Sequence, residues 1–351
     1  MATGKRRISL KDLAKELGVS IATVSRALRS SPEIGQEMQQ RVKELARRLN
    51  YRPNPFAQSL RKEAPRVIGV VVPNLVTHYY AAVLDGIEEE AAKSGYSVIS
   101  ANTHEQREAE VRAVDNFISL HVEGIIACLS QNTTDYSHFE EISQMDIPLV
   151  FFGRTCLPEL FSSVTANGDV AAQEATQHLI DTGSRRIAFI GGPNHLDMVR
   201  RRKHGYLEAL RENRIPIERE LVVCERIDYE WALDAATRLL QRDDRPDAIL
   251  AFNDIITFAA FTAIKQLGLH IPGDVALIGF TDDVHAKYVT PKLSAIEDQS
   301  RLMGQTACRL LLKNIGGDRK IYREIVPQKV VIRETSARQK PSHTGEEASS
   351  P

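Results

Sequence analysis

Few residues in this chain are spaced for catalysis, but one group is spaced to hold a polyanion. Ala14, Gly18 and Val24 fall across two short helical patterns. The small residue lets two helices approach, the glycine makes the tight turn between them, and the apolar residue closes their core. Those are the requirements of a helix-turn-helix, although an ordinary helical pair would meet them too. The surrounding charge favours the first reading. Residues 1–64 hold 14 Lys/Arg and 6 Asp/Glu, a sum of +8, while the rest of the chain holds 31 and 40, a sum of −9. The overall net charge of −1 conceals this division. A basic head on an acidic body points to a polyanionic partner for the head.

Other chemistry is sparse. His104, His178 and His195 are scattered, and no Ser-His-Asp set, P-loop lysine or metal-spaced cluster stands out. No G-x-G-x-x-G follows a strand pattern; Gly191-Gly192-Pro193 is a different loop. No catalytic residue, metal ligand or cofactor is therefore expected. Cys128, Cys156, Cys224 and Cys308 lie far apart with no CxxC pair, as in a protein with reduced thiols. No apolar run reaches the ~20 residues of a membrane span. The start, MATGKRRISLKDLAKELG, has no apolar h-region of a secretory signal. These features predict a cytoplasmic, nucleoid-associated protein with no membrane partner.

The elements that must position such residues are legible. Ser9 and Asp12 form a capping-box-like start, with Leu10, Leu13, Ala14 and Leu17 as one stripe. Gly18 ends that helix and Ser20 can cap the next, IATVSRALR. A third helix is predicted over about 36–49. In the following linker Asn54 suits an N-cap and Pro55 a first helical position, so Phe56–Lys62 is a short helix that needs support. From Arg66 the pattern changes. Buried-strand runs at 67–73, 96–101, 124–129 and 148–153 alternate with helices. A second series has strands at 186–192, 221–224, 247–252 and 274–280. Alternation of this kind predicts parallel sheets with crossover helices, and two series predict two lobes with a cleft between them. A late helix at 302–312 and a late strand at 329–332 follow. The division expected is a helix-turn-helix at 1–50, a hinge at 51–65, a two-lobed core at 66–337 and a disordered tail at 338–351.

The run GVS-x-x-TVSRAL, then R-V…A…LNYRPN, then A-x-x-L resembles the DNA-binding head of the LacI/GalR family of bacterial transcription regulators. IGVVVPN, HLIDTGSRRIAFIGG, AFND, IPGDVALIGF and TPKLSAIEDQ resemble that family's effector-binding core, which has the type I periplasmic-binding-protein-like fold. The resemblance spans roughly residues 8–335. It implies that the helix from Ser20 lies in the major groove. Ile21 and Ala22 would then offer apolar contact to thymine methyls, and Arg26 would read O6 and N7 of guanine. Thr23 and Ser25 would touch phosphates, and a phosphate contact is also the alternative for Arg26. It further implies that Leu60 wedges a base step from the minor groove, with Ala57 permitting close hinge approach and Arg61 nearby. The alternative for Leu60 is packing on the core.

For the cleft, the resemblance implies effector contacts from Tyr79, Tyr80, Arg202 and Asn253, with core packing as the alternative for the tyrosine pair. Many relatives carry acids where this chain has Gly153 and Thr281, and often Gln at Asp298. Arg200, Arg201 and Lys203 flank Arg202. The expectation is a less acidic pocket that takes a sugar, sugar acid or sugar phosphate. The function implied is a ligand-responsive repressor of carbohydrate or sugar-acid genes. It would act as a homodimer on a near-palindromic operator, and no enzyme activity is expected. The alternative is the solute-binding protein of a sugar transporter, which the missing signal and the basic head oppose.

Overall fold

The computed structural model describes residues 8–49, 51, 66–281 and 284–338. The chain forms two compact units, residues 1–65 and 66–351. In the first, α1 is Leu10–Leu17, α2 is Ile21–Leu28 and α3 is Gln36–Arg48. The Ser9 hydroxyl accepts from the Asp12 amide and the Asp12 carboxylate accepts from the Ser9 amide, a reciprocal capping box. Gly18 ends α1 at φ +68°, and its N–H donates to the Ala14 carbonyl. A side chain would resist that conformation. The three helices bury Leu13, Ala14, Val24, Ala27, Val42, Leu45 and Ala46 against one another.

The second unit holds two six-stranded sheets. The first contains β1 (Val67–Val72), β2 (Ser97–Asn102), β3 (Gly124–Ala127), β4 (Leu149–Phe152), β5 (Ser162–Ala166) and β11 (Arg323–Val326), in the order β11-β5-β4-β3-β1-β2. The second contains β6 (Ile187–Gly191), β7 (Val222–Cys224), β8 (Ala248–Ala251), β9 (Ala276–Phe280), β10 (Ser294–Glu297) and β12 (Lys329–Val331), in the order β12-β10-β9-β8-β6-β7. Among the described residues every pairing is parallel except β10 with β12. Strands β3, β4, β6, β8 and β9 are buried along their whole length, so both faces must be apolar and the runs read continuously rather than alternately.

Helices cover the sheets. α4 (His78–Lys93), α5 (Arg107–Ser119) and α6 (Ser137–Gln144) serve the first lobe. α7 (Gly168–Asp181), α8 (Asp197–Glu212), α9 (Tyr229–Leu240) and α10 (Asp254–Gln266) serve the second. α11 (Ser300–Ile315) then returns to the first lobe, where Met303, Ala307, Cys308 and Leu311 join its core.

The lobes are therefore not two successive series. The chain crosses between them three times: between Ala166 and Gly168, between Glu297 and Ser300, and between Val326 and Lys329. The strands β5, β10 and β11 are additions to the elements read from the sequence. Their sequences, SSVTA, SAIE and REIV, lack a long apolar run, and β11 leaves three of its four residues exposed at a sheet edge. Arg338, assigned above to the tail, is instead anchored. Its guanidinium donates to the Pro272 and Asp247 carbonyls, each at 2.6 Å, and to the Ser184 hydroxyl at 3.1 Å.

Helices α4 and α11 meet through glycine. A Cβ on Gly304 would stand 2.0 Å from the Val83 carbonyl oxygen, and one on Gly86 would stand 2.2 Å from that of Arg301. Neither backbone can yield without separating the helices. Gly304→Ala is expected to cost about 1–3 kcal/mol by overpacking, seen as a lower urea midpoint. Gly273→Ala, whose nearest neighbour is the His270 Cβ at 3.5 Å, should leave the midpoint almost unchanged.

Candidate functional site

Two places in the molecule collect the residues singled out above. The first is the start of α2. The Ser20 hydroxyl accepts from the Thr23 amide at 3.0 Å and lies 2.9 Å from the Thr23 hydroxyl. This cap explains why the helix begins there. Val24 and Ala27 anchor one face of α2 in the three-helix core. The other face presents Ile21, which is 43 % exposed, the half-buried Ala22 and Ser25, and the exposed Arg26. An isoleucine held in water at the first turn of a helix has no packing purpose within this unit.

The Arg26 guanidinium lies 3.3 Å from the Glu33 carboxylate, and both side chains are more than half exposed. Such a pair is weak and screened, so Arg26 can leave it for a stronger acceptor at little cost. Glu33 sits in the turn after α2 and no sequence pattern marks it. Asn54, Ala57, Leu60 and Arg61 lie outside the described residues.

The second place is a cleft of about 610 Å³ between the two lobes. Tyr79 and Tyr80 from α4, Arg202 from α8, Asn253 before α10, Thr281 after β9 and Asp298 after β10 all line it. Gly153 does not. It lines a smaller side cavity of about 290 Å³ that shares Met198 and Arg202 with the cleft. A Cβ at Gly153 would lie 2.9 Å from the Tyr79 hydroxyl oxygen, so Tyr79 covers this position.

Tyr79 and Tyr80 meet edge to face at 5.0 Å, and Tyr80 packs in the same way on Phe152. Both belong to the first lobe's core and to the cleft wall, so the two readings of the pair are not exclusive. Burial raises the Tyr79 hydroxyl well above its ordinary pKa, and the Asp298 charge adds to the shift. Asn253 is the N-cap of α10: its side-chain oxygen accepts from the Ile256 amide at 3.0 Å. Asp254 lines the cleft.

Arg202 is buried and lies over two rings, 3.7 Å from the Phe280 centroid and 4.9 Å from that of Phe252. It donates to the Phe252 carbonyl and, at 2.8 Å, to the Asp298 carboxylate. Burial pulls the guanidinium below its ordinary pKa, and Asp298 works against that pull. Gln328 donates its side-chain amide to the same Asp298 oxygen. The Gln328 backbone N–H donates to the Asn167 side-chain oxygen at 2.7 Å. Asn167, Asp298 and Gln328 stand one on each of the three crossings between lobes. The network thus ties Arg202 to every covalent link between them.

The basic run around Arg202 divides between surface and cleft. Arg200 and Arg201 pair with Asp197 at the surface, and Lys203 donates to Asn194. Only Arg202 of that basic run reaches the cleft. A second cleft arginine, Arg154, was not read from the sequence. It grips Glu105 with two hydrogen bonds, at 2.7 and 3.0 Å. Among the described residues the cleft therefore holds two arginines against three carboxylates, those of Glu105, Asp254 and Asp298. Arg154 directly follows Gly153 in FFGR and could have been noticed there. Glu105 is 49 residues away and could not.

Comparison with known proteins covers both places. Residues 9–54 match the family described as bacterial regulatory proteins, lacI family, and residues 176–336 match the periplasmic binding protein-like domain. The chain is 31 % identical over 311 residues to catabolite control protein A of Priestia megaterium, covering 87 % of this chain and 92 % of that protein. It is 33 % identical over 304 residues to the ribose operon repressor of Bacillus subtilis (strain 168), covering 87 % and 90 %. Its fold is similar to that of the lac repressor dimer bound to operator and an anti-inducer. The TM-score is 0.81 at 25 % identity, over 94 % of this chain and 99 % of that one.

Proposed function

Because the chain belongs to the lacI family of bacterial regulatory proteins, we propose that it is a repressor whose hold on an operator is set by a small sugar-like ligand in the interlobe cleft. Two copies bind a near-palindromic site, each placing the start of α2 in the major groove. Arg26 leaves Glu33 and reads guanine; Ile21 and Ala22 meet thymine methyls. Ser20, Thr23 and Ser25 sit where phosphate oxygens pass. Asn54, Ala57, Leu60 and Arg61 supply the hinge that enters the minor groove between half-sites. No catalytic step is assigned to either place.

The ligand is polyhydroxylated and carries no net charge. Support comes from the charge balance, since both cleft arginines are already paired with carboxylates. An anion would have to displace Glu105 or Asp298. Aromatic walls from Tyr79, Tyr80, Phe252 and Phe280 suit the apolar face of a sugar ring.

The observation that carries the reading is the link from Arg202 through Asp298 and Gln328 to Asn167. A ligand that touches Arg202 touches a group wired to all three crossings. It can therefore prefer one lobe angle over another, and such preference is what a regulatory ligand requires.

Operator selection from genomic fragments followed by binding measurements tests the proposal. Arg26→Ala is expected to lose about 1–3 kcal/mol of discrimination at one base position, the worth of one bidentate contact. Leu60→Ala is expected to weaken operator binding while ligand binding stays at the parental level. If both variants hold the operator as the parent does, the assignment of the head is wrong. If the parent retains no fragment at all, the body is a solute binder.

A further inference from the structure

The side cavity behind Met198 adjoins two unsatisfied polar atoms. Two side chains beside it, each more than nine-tenths buried, leave one hydrogen-bonding atom without a partner among the described residues. They are Arg202, through its Nε–H, and Gln328, through its Oε1. One is a donor and the other an acceptor. Both atoms lie 3.5 Å from the point where Gly168 would carry a Cβ, so they face the same small space. Gly168 lines the side cavity, as do Gly153, Thr165 and Ala166, together with Asp197 and Arg201, which pair with each other at 2.8 Å. Four small residues keep that space open, and Met198 stands between it and the cleft as a wall of both.

The chemistry of the two orphan atoms selects an occupant. A carboxylate or phosphate oxygen would accept from Arg202 but meet Gln328 acceptor to acceptor. An ammonium would satisfy Gln328 and repel Arg202. A hydroxyl does both at once, accepting from Nε–H and donating to Oε1. The other nitrogens of the two groups already donate, the Arg202 Nη atoms to the Phe252 carbonyl and Asp298 and the Gln328 amide to Asp298.

We propose that the cavity behind Met198 is a subsite for one hydroxyl on a flexible arm of the ligand, read by Arg202 Nε and Gln328 Oε1 in the space kept by Gly168. The proposal rests on the reading of the cleft as a ligand site and adds to it a preference for sugars that carry an exocyclic hydroxymethyl group. Met198, unbranched and flexible, moves aside as the arm enters. Since Gln328 lies on the third crossing and is bonded to Asn167 on the first and Asp298 on the second, while Arg202 is bonded to Asp298, an arm in this subsite would bear on the crossings directly.

The test is titration calorimetry of the full chain with matched sugars. Each hexose (glucose, galactose, mannose) is paired with the pentose that lacks only its hydroxymethyl arm, and the corresponding aldonates and sugar phosphates complete the panel. Two variants are measured. Gly168→Ala fills the space and stands 3.1 Å from the Arg202 Cγ, and Gln328→Met keeps the volume but removes the acceptor together with the amide that donates to Asp298, so the matched pentose is the control for both side effects. The expected result is that the preferred hexose loses about tenfold in affinity or more in each variant, the worth of one hydrogen bond, while its matched pentose changes less than about twofold. Equal losses for both sugars, or none for either, overturn the subsite and leave the space to a water molecule. Binding confined to aldonates or phosphates overturns it as well. If no member of the panel binds the parent, the cleft reading itself falls and the subsite with it. A cooperative urea transition with the parental slope shows that the variants are folded.

Discussion

Replacing Arg202 with methionine is expected to cost about 3–5 kcal/mol of stability in the body and to abolish the response to ligand. The size follows from what remains behind. The substitution keeps the volume between Phe252 and Phe280 but strips Asp298 of its cationic partner. Asp298 is 7 % exposed, so its carboxylate cannot recover its charge balance from water. Gln328 still donates to it, yet a neutral amide does not replace a guanidinium. The Phe252 carbonyl also loses its donor.

A second substitution separates stability from function. Asp298→Leu in the Arg202→Met background removes the stranded charge. Much of the lost stability should return, because a buried ion pair replaced by apolar residues is often neutral. Ligand response should not return, since neither the donor nor the link to the crossings is restored. Urea unfolding measures the first quantity and ligand-dependent release of operator measures the second. A double variant that again responds to ligand would show that Arg202 serves packing alone.

The same network shows where sequence reading stops. Arg202, Asn253, Thr281 and Asp298 were each found from a local motif, and all four line one cleft. Gly153 came from the same kind of motif yet faces the side cavity, because the ring of Tyr79, 74 residues earlier in the chain, covers it. Local pattern tells what a residue is and which element it ends; it does not tell which distant side chain shields it. Charge is distributed in the same way. Arg200, Arg201 and Lys203 share a segment with Arg202, but a helix turns about 100° per residue, so they pair with Asp197 and Asn194 outside the cleft and Arg201 reaches only the side cavity.

The strands behave alike. Fully buried runs such as VIGVVV and ALIGF announce themselves, whereas SSVTA, SAIE and REIV become strands only because sheet partners are waiting. Those three strands adjoin the crossings, so the sequence revealed two lobes but not the triple link that lets one influence the other.

Raising salt from 50 to 200 mM is expected to weaken operator binding by about 10³-fold or more, as for proteins that neutralise about six to ten phosphates. The charge division predicts this. Fourteen basic residues lie within the first 64, and the acidic sum of the remainder opposes any contact of the body with DNA. Ligand binding in the cleft should hardly change over the same range. Its arginines are buried and paired, and an uncharged sugar releases no counterions. The contrast also resolves the role of Arg26. If Arg26 grips a phosphate, Arg26→Ala should lower the salt slope by about one for each head bound and weaken all sequences alike. If it reads guanine, the slope should hardly move and the loss should fall on operators that carry that base. Its weak pairing with Glu33 favours the second outcome: the guanidinium is held by the turn after α2 and not by the helix start, where Ser20 and Thr23 gather at the N–H groups that attract phosphate. A slope near zero for the parent would overturn the reading of the head altogether, because no base-reading helix binds DNA without neutralising its backbone.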